Sequence, residues 1–376
     1  MSKYISKKKI LIHDFSGHPF QFELSVELAK STYKVTHAYS INEGGPKANF
    51  ILKKNLSIFP ISIGYKLPKN SILKRFFWEL KYAFNLIRFV NKNKPDLIIQ
   101  SNTPPLILVI FNMFCRIPWI WWVQDIFSEA AANMDILPKI ARKIAQNLFC
   151  GLESILSKLA SHIILISKDF SIFFSNLDNT KISIIENWSP DYKSKKYKKR
   201  VGIVYAGTIG KKHYSRDLID AIQYFLDQGE IFNLISEGIY ADKIYTKFYK
   251  NKNFKKFNFL NTKDLDAILD KSKAAMFVLE KKASKVSIPS KVYTYIKHDL
   301  PVFGLIDSNH HTAKLILSND FGVVNERENF ISKINNINWI KDFQHRAFLF
   351  NRKYNSVQHK AEAFKIIIAN FFNNKH

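Results

Sequence analysis

VGIVYAGTIGKKHYSRDLIDAIQYFL, residues 201–226, is the stretch that decides the fold class. An apolar, β-branched run at 201–205 stops at a loop with two glycines, and an amphipathic stretch follows at 217–226. Strand, loop and helix in this order make a βα unit. Because similar units recur along the chain, the sequence predicts an α/β protein built on parallel sheets.

The alternation of apolar runs and amphipathic stretches predicts two series of strands and helices. The first series has strands at 9–14, 35–39, 97–100, 119–123, 162–166 and 182–185, and helices at 20–30, 72–91, 105–114 and 138–159. The second has strands at 201–205, 232–235, 257–259, 274–279 and 301–304, and helices at 217–226, 264–271 and 289–297.

Two domains are therefore expected, at 1–191 and 201–353. Basic residues crowd 192–200 without apolar periodicity, which predicts a solvated linker between them. The last amphipathic segment, 354–376, is expected to pack back on the first domain.

Composition limits the class of partner. The chain has 376 residues, 47% of them hydrophobic, and 57 Lys plus Arg against 31 Asp plus Glu, a net charge of +26. This hydrophobic content excludes a disordered chain. The charge favours an anionic partner, namely nucleic acid, anionic lipid or a phosphorylated small molecule. A genome-wide bias toward Lys, Asn and Ile is an alternative source of part of this charge.

The sequence favours a cytoplasmic protein. Cys115 and Cys150 lack the spacing of a disulfide framework or a zinc site. The basic start of the chain precedes only a short apolar run, cut by His13 and Asp14, so a signal peptide is not expected. The apolar stretch 104–123 contains Asn112, Arg116 and Pro118, and we interpret it as a helix, a break and a buried strand.

Ligands of open α/β sheets bind at the carboxyl ends of the strands, so the residues after each strand are candidates. In the first series, Gly17 and His18 follow the first strand, and Gly17 permits close backbone approach. Gln124, Asp125 and Glu129 follow the apolar strand at 119–123. The alternatives are an ordinary turn at Gly17 and a helix cap at Asp125.

The loops that follow strands of the second series contain residue types that bind phosphate. Glycines, potential cations and the start of a helix follow the strand at 201–205, but without the spacing of a Walker loop or a dinucleotide motif. Glu237 and Glu280 end two further strands and could hold sugar or ribose hydroxyls, or be solvated. At 287–291, Ser287 or Ser290 is predicted to cap a helix begun by Pro289, and its amides with Lys291 would seat a diphosphate. The alternative there is only a well-capped helix.

Eight short motifs occur in an order that resembles bacterial glycosyltransferases of family 4. They are SNTPP (101–105), WVQDIFSEA (122–130), NWSP (187–190), YAGTIG (205–210), KH (212–213), SEG (236–238), LE (279–280) and IPSKV (288–292). The chain is most similar to the surface-polysaccharide enzymes of that family, including N-acetyl-L-fucosamine transferases. The resemblance spans residues 10–324.

The resemblance implies a GT-B fold, in which two Rossmann-like, doubly wound domains face a central cleft. It also implies a nucleotide-sugar donor on the second domain, an acceptor on the first, no metal or other cofactor, and retention of anomeric configuration. The catalytic residues it implies are Asp125 at the reacting centre and Lys212 and Lys291 beside the diphosphate. The donor-binding residues would be Gly207, Thr208, Gly210, His213, Glu237, Gly238, Glu280, Ser287 and Ser290. The acceptor-side residues would be Gly17, His18, Gln124 and Glu129.

The chain departs from the family pattern at several positions. Family members carry two glutamates where this chain has Val286 and Thr294, a glycine where it has Asp299, and a histidine where it has Gln124. The usual carboxylate for the nucleotide ribose is therefore absent from its usual place.

The basic charge fits an acceptor linked to polyprenyl diphosphate and an enzyme peripheral to the cytoplasmic membrane. The stretch 73–90 contains six aromatic residues beside four cations, which predicts an interfacial helix. The alternative is a helix packed between the sheet and a neighbour.

Two other classes of function compete with sugar transfer. The charge alone would suit a nucleic-acid-binding protein, but no recognition motif for nucleic acid is found in the sequence. A GT-B relative with other chemistry, either a nucleotide-sugar epimerase or a non-catalytic subunit, is the closer alternative.

Overall fold

A computed structural model describes residues 7–17, 19–42, 54–68, 71–133, 138–189, 200–210, 213–279 and 288–373. The chain divides into two compact units. The first unit comprises Met1–Glu186 with Val357–His376, and the second comprises Asn187–Ser356. The linker predicted at 192–200 lies, except for Arg200, outside the described residues.

The first unit is built on a sheet of seven parallel strands in the order β3-β2-β1-β4-β5-β6-β7. The strands are β1 (Lys9–Asp14), β2 (Lys34–Ser40), β3 (Leu56–Ile61), β4 (Leu97–Ser101), β5 (Trp119–Val123), β6 (His162–Leu165) and β7 (Ile182–Ile184). The helices are α1 (Pro19–Ala29), α2 (Ile72–Asn93), α3 (Pro105–Phe114), α4 (Phe127–Ala132) and α5 (Lys139–Leu159), with 3₁₀ turns at Lys168–Phe174 and Asn179–Lys181. Every residue of β4 and β5 is buried, as in a parallel sheet covered on both faces.

The second unit has a sheet of six parallel strands in the order β10-β9-β8-β11-β12-β13. The strands are β8 (Ile203–Ala206), β9 (Phe232–Ile235), β10 (Phe254–Phe257), β11 (Ala274–Val278), β12 (Val302–Leu305) and β13 (Gly322–Val324). The helices are α6 (Arg216–Asp227), α7 (Ile239–Phe248), α8 (Thr262–Lys271), α9 (Lys291–Lys297), α10 (His311–Ser318), α11 (Arg327–Asn335) and α12 (Ile337–Lys353). Separate clusters of buried apolar residues, one around Phe225 and one around Val302, form the core of this unit.

The last helix, α13 (Val357–Asn373), belongs to the first unit. It packs against α1, and the ring of Phe364 contacts Trp122 of β5 with 4.8 Å between ring centroids.

Most predicted elements are confirmed, and the errors among the strands lie at the sheet edges. β1, β5, β9 and α3 have the predicted bounds. The strand predicted at 257–259 was placed wrongly and occupies Phe254–Phe257, because Phe254 stacks on Phe232 in the core while the intervening lysines stay near the surface. The strands β3 and β13 and the helices α4, α7, α10, α11 and α12 were not predicted. In the described parts of the chain, no helix combines the length and apolar character needed to cross a membrane.

Candidate functional site

Three loops of the second unit meet at one edge of its sheet. β8 lies between β9 and β11, all three are parallel, and so the segments that follow them share the carboxyl edge. These segments begin at Gly207, Ser236 and Leu279. Residues 280–287, and with them the predicted donor residues Glu280 and Ser287, lie outside the described residues.

Gly207 and Lys291 form the centre of this edge. Gly207 has φ of +124°, a conformation that side-chain-bearing residues rarely adopt, and a Cβ atom there would lie 2.9 Å from the Lys291 amine. The amine Nζ lies 4.3 Å from the centroid of the Tyr205 ring and 3.3 Å from its hydroxyl oxygen. The absence of a side chain at residue 207 therefore allows a cation to lie directly over the end of β8.

Two buried tyrosines fix this cation and the strand end. The Tyr295 hydroxyl accepts a hydrogen bond from the Ala206 N–H at 3.0 Å and also lies 3.3 Å from the Ala206 carbonyl oxygen. Burial raises the pKa of Tyr205 and the pKa of Tyr295 above the ordinary value of a phenol. Since Tyr205 stays neutral, it orients the Lys291 ammonium without cancelling its charge.

Neither tyrosine was predicted to belong to the site. A usable signal existed, because Lys291 and Tyr295 are four residues apart in α9 and so share one face of that helix.

The loop after β8 is closed by its own histidine. The Gly210 N–H donates to His213 Nδ1 at 3.1 Å, and the His213 N–H donates back to the Gly210 carbonyl at 2.9 Å. The Thr208 carbonyl accepts from the Tyr205 hydroxyl at 3.4 Å, while the rest of Thr208 is exposed. Gly207, Thr208, Gly210 and His213 thus belong to one short loop next to Lys291. The predicted catalytic residue Lys212 lies outside the described residues.

Glu237 has a structural contact in addition to its predicted role. One of its carboxylate oxygens accepts the Phe259 N–H at 2.8 Å, which ties the loop after β9 to the chain that follows β10. Gly238, with φ of +99°, precedes the first residue of α7. The exposed side chain of Glu237 lies at the same sheet edge as Lys291.

The predicted start of the helix at 289–297 was wrong. α9 begins at Lys291, and Ser290 occupies the cap position in a helical conformation without a side-chain capping bond. The N–H groups of Val292 and Tyr293 donate to the carbonyls of Pro289 and Ser290, both at 3.1 Å. The 289–291 segment is itself coiled like a helical turn, so these two amides are not available to a ligand. Lys291 is the group from this segment that the structure presents to the loop after β8.

A cavity of about 260 Å³ also opens in the second unit, beside the ends of β12 and β13. Its lining is Asp217, Asp220, Ala221, Leu305, Asn325 and Arg327. None of these was predicted as a site residue. The lining carries two carboxylates and one guanidinium, that of Arg327, whereas the Gly207–Lys291 edge presents a cation beside an accessible backbone and is the better anion site.

In the first unit, β1, β4 and β5 are neighbours, so the residues after them also share one sheet edge. Gly17 follows β1 with φ of +72°, and Asn102 follows β4 with φ of +53°. After β5, Gln124 is half-buried and Asp125 is exposed. Glu129 lies in α4 and accepts a bond from the Gln146 amide at 3.4 Å. His18 lies outside the described residues.

The alternative role for Asp125, as the cap of the next helix, is not what the structure shows. The cap position of α4 is Ile126, and the first N–H groups of the helix donate to the Glu153 carboxylate of α5, Phe127 at 2.6 Å and Ser128 at 3.3 Å. Burial raises the pKa of Glu153. Sequence reasoning missed Glu153, because a cap supplied by another helix leaves no local pattern.

A buried polar network lies behind this edge of the first unit. The arrangement fits a neutral His13 ring whose Nδ1–H donates to Gln100 Oε1 at 2.7 Å and whose Nε2 accepts from the Tyr82 hydroxyl at 2.9 Å. Thr103 Oγ1 lies 3.0 Å from Nδ1 of the same ring. Desolvation lowers the pKa of His13 to about 4. The network holds the ends of β1 and β4 in place; Thr103 lies in the SNTPP motif, but none of the members was predicted as a site residue.

One departure from the family pattern has a structural correlate. Asp299, at the position where family members carry glycine, has φ of +55°, in the left-handed region. Thr294 lies in α9, and Val286 lies outside the described residues. Among the described residues, no three His, Cys, Asp or Glu side chains come together as metal ligands would.

Comparisons with known proteins identify the fold. No family model and no curated protein sequence matches the chain. Among solved structures, the chain is similar to sucrose-phosphate synthase from Thermosynechococcus elongatus, with a TM-score of 0.71 and 10% identity over 98% of this chain and 100% of that one. It is similar to WaaG, a glycosyltransferase involved in lipopolysaccharide biosynthesis, with a TM-score of 0.63 and 11% identity over 94% of this chain and 99% of that one.

It is also similar to UDP-GlcNAc 2-epimerase from Methanocaldococcus jannaschii, with a TM-score of 0.54 and 9% identity over 96% of this chain and 99% of that one. At such low identities, the likeness is one of fold. Together with two parallel sheets flanked by helices, these neighbours confirm that the chain has the α/β fold called GT-B.

Proposed function

We propose that this chain is a family 4-like glycosyltransferase, which moves a sugar from a UDP-linked donor to a saccharide or lipid-linked saccharide. The main observation behind the proposal is that the Lys291 amine lies next to Gly207, which has no side chain, at the carboxyl edge of the second sheet. A nucleoside diphosphate needs such a fixed cation beside an accessible backbone. The reaction would proceed without a metal and with retention, in surface-polysaccharide synthesis.

Transfer requires stabilisation of a leaving nucleoside diphosphate and of an oxocarbenium-like sugar. Lys291, oriented by neutral Tyr205, would hold the charge that develops on the leaving diphosphate. Lys212 would add a second cation. Asp125, exposed after β5, would orient the acceptor hydroxyl or stabilise the positive charge that develops on the sugar.

The names of the structural neighbours support this class of reaction. A sucrose-phosphate synthase and a lipopolysaccharide glycosyltransferase share the fold over nearly the whole chain. An acceptor carried by polyprenyl diphosphate would place the enzyme at the cytoplasmic membrane. The helix α2 has the predicted mixture of aromatic and cationic residues: Trp78 and Tyr82 are buried, while Phe77 and Phe84 are exposed.

The variant Lys291→Ala tests the proposal. We expect turnover of a UDP-sugar to fall by a factor of about 100 to 1,000, as when a preorganised charge is removed from a transition state. The fold should persist, because Lys291 is half-buried at the start of a helix. Lys297→Ala, at the other end of α9, is the matched control and should keep its turnover. Normal turnover in Lys291→Ala would remove the diphosphate role.

Epimerisation of a nucleotide sugar is the second candidate, favoured by the shared fold with a UDP-GlcNAc 2-epimerase. Product analysis distinguishes the two reactions. An epimerase converts UDP-N-acetylglucosamine without an acceptor and keeps the nucleotide attached, whereas a transferase releases UDP as the sugar joins the acceptor. A non-catalytic subunit would bind the nucleotide and show neither product.

A further inference from the structure

The helix α5 exposes a continuous apolar stripe to solvent. Ile140, Ile144 and Leu148 are 77%, 65% and 61% exposed, and Ile155 and Leu159 are more than half exposed as well. At 100° per residue, these five positions fall within about 100° of arc on one side of the helix. On the other side of the helix, Leu156 and the capping carboxylate Glu153 are buried, and Gln146 and Phe149 are half-buried.

Two neighbouring helices extend this stripe into a patch. Exposed Leu73, Phe77 and Phe84 share one side of α2, and Met113 and Phe114 are exposed at the end of α3. α3 packs against both α2 and α5, and the rings of Phe84 and Phe114 lie 5.8 Å apart. Right-handed crossovers put these three helices on the same face of the sheet. We call the surface formed by these ten residues of α2, α3 and α5 the apolar patch.

The exposed charges of α2 and α5 are all cations. The single acid of α2 is Glu79, which is buried and paired with Arg75, and the single acid of α5 is the buried Glu153; both helices lie within the described residues. Lys139, Arg142 and Lys143 line a hollow of about 170 Å³ with Ala132 and Gln146 at the start of α5. The further cations on the two helices are Lys74, Lys81, Arg88, Lys92 and Lys158.

We infer that the apolar patch inserts into the surface of an anionic phospholipid bilayer, with α5 as a principal inserting helix and the cationic hollow receiving a lipid phosphate. Apolar side chains enter the boundary of the acyl chains while neighbouring Lys and Arg bind headgroups. A second copy of the chain fits less well, because pairing two such patches would bring their cations together. The inference deepens the proposed function, since a lipid-linked acceptor lies in the same bilayer.

Vesicle flotation tests the inference with two kinds of variant. The vesicles contain phosphatidylcholine, with or without phosphatidylglycerol. Ile144→Glu with Leu148→Glu removes the stripe, and Lys139→Gln with Arg142→Gln and Lys143→Gln removes the cations. The matched controls in the second unit are Ile337→Glu, where the side chain is 72% exposed, and the triple change Lys243→Gln, Lys247→Gln and Lys250→Gln in and just after α7.

We expect the unaltered chain to float with the anionic vesicles at low salt and much less with phosphatidylcholine alone. The stripe variant should lose at least about tenfold in partitioning, because two inserted side chains become charged. Three lost cations at about 1 kcal/mol each correspond to roughly 100-fold for the cation variant. Both controls should bind as the unaltered chain does.

Three outcomes would overturn the inference. One is the absence of binding to anionic vesicles, and another is an equal loss in the α5 variants and their controls, which would indicate non-specific charge. The third is a dimer in solution that Ile144→Glu dissociates, which would assign the apolar patch to a second copy. Thermal stabilisation by UDP, measured on every variant, reports on the donor site alone, so failure of the membrane surface and failure of the proposed function are distinguishable.

Insertion itself can be located on the helix. Cys115 is buried and Cys150 is exposed, so a Cys150→Ser chain offers one accessible position when Ile144→Cys is added. A polarity-sensitive dye at that position should shift to the blue on anionic vesicles, whereas the same dye at Ile337→Cys should not. Equal shifts at both positions would contradict insertion through α5.

Discussion

At the scale of single residues, the account depends most on Gly207. Its backbone has φ of +124°, and any side chain would meet the Lys291 amine 2.9 Å away. We expect Gly207→Ala to lower turnover of the proposed donor by about tenfold or more, because a displaced Lys291 ammonium would no longer lie where the diphosphate is proposed to bind. Steady-state kinetics of nucleoside diphosphate release checks this.

Gly229→Ala is the matched control for that variant. Gly229 also has a positive φ, of +79°, but no atom lies within 4 Å of the position of its added Cβ. Both variants should lose stability from backbone strain, on the order of 1–3 kcal/mol, and only Gly207→Ala should lose activity. Equal activity in the two variants would mean that the position of Lys291 does not matter for turnover.

The buried histidines of the first unit predict a dependence of stability on pH. Desolvation lowers the pKa of His13 from 6.5 to about 4 and that of His37 to about 3. Between pH 6.5 and 4 the unfolded chain binds more protons than the folded chain, so stability is full above pH 6.5 and is lost as pH falls. For His13 alone, the loss is on the order of 3 kcal/mol.

Tryptophan fluorescence during denaturant unfolding measures this loss, because Trp78, Trp119, Trp121 and Trp122 all lie in the first unit. His13→Asn should show a shallower dependence of the unfolding midpoint on pH than the unaltered chain. An unchanged slope would mean that His13 does not titrate between the two states.

At the scale of secondary-structure elements, α4 depends on a carboxylate from α5. Glu153 accepts the N–H groups of Phe127 and Ser128 at the start of α4. We expect Glu153→Ala to destabilise the first unit by about 1–3 kcal/mol, because two N–H groups lose their acceptor. Amide hydrogen exchange should speed up in Phe127–Ala132. Glu153→Gln, which keeps one acceptor oxygen, should exchange more slowly than Glu153→Ala, and equal protection in both would contradict the capping role.

The sequence predicts central elements better than edge elements, and the reason is burial. β5 is buried along its whole length, and its continuous run of Trp, Ile and Val predicts a buried strand. β10 lies at an edge and contains Lys255 and Lys256, and β3 lies at the other sheet's edge and contains Pro60, so neither has a continuous apolar pattern.

Among the candidate site residues, those with a local sequence pattern were predicted and those that act through distant contacts were not. Gly207 and Lys291 carry local patterns of a turn and a helix start, and both were predicted. Tyr205, Tyr295 and Glu153 act through contacts with residues distant in sequence, apart from the bond between Tyr205 and Thr208. A pattern read along the chain does not reveal such contacts, so these three were missed.

At the scale of the whole molecule, two small groups of cations within the net charge of +26 have a proposed role. In the second unit, Lys291 lies at the sheet edge where a nucleotide diphosphate would bind. In the first unit, Lys139, Arg142 and Lys143 border the apolar patch, where anionic lipid would bind. Both proposed roles concern phosphate groups, and neither requires nucleic acid.

The most direct test of the central claim is the thermal shift of the full chain with UDP, GDP, ADP, CMP and a short duplex DNA. A nucleotide at 100 times its dissociation constant adds about 2.7 kcal/mol to the stability of the folded state, which is worth several degrees for a unit of this size. The account predicts a shift with UDP that is lost in Lys291→Ala, and none with DNA. A shift with DNA and with none of the nucleotides would contradict it.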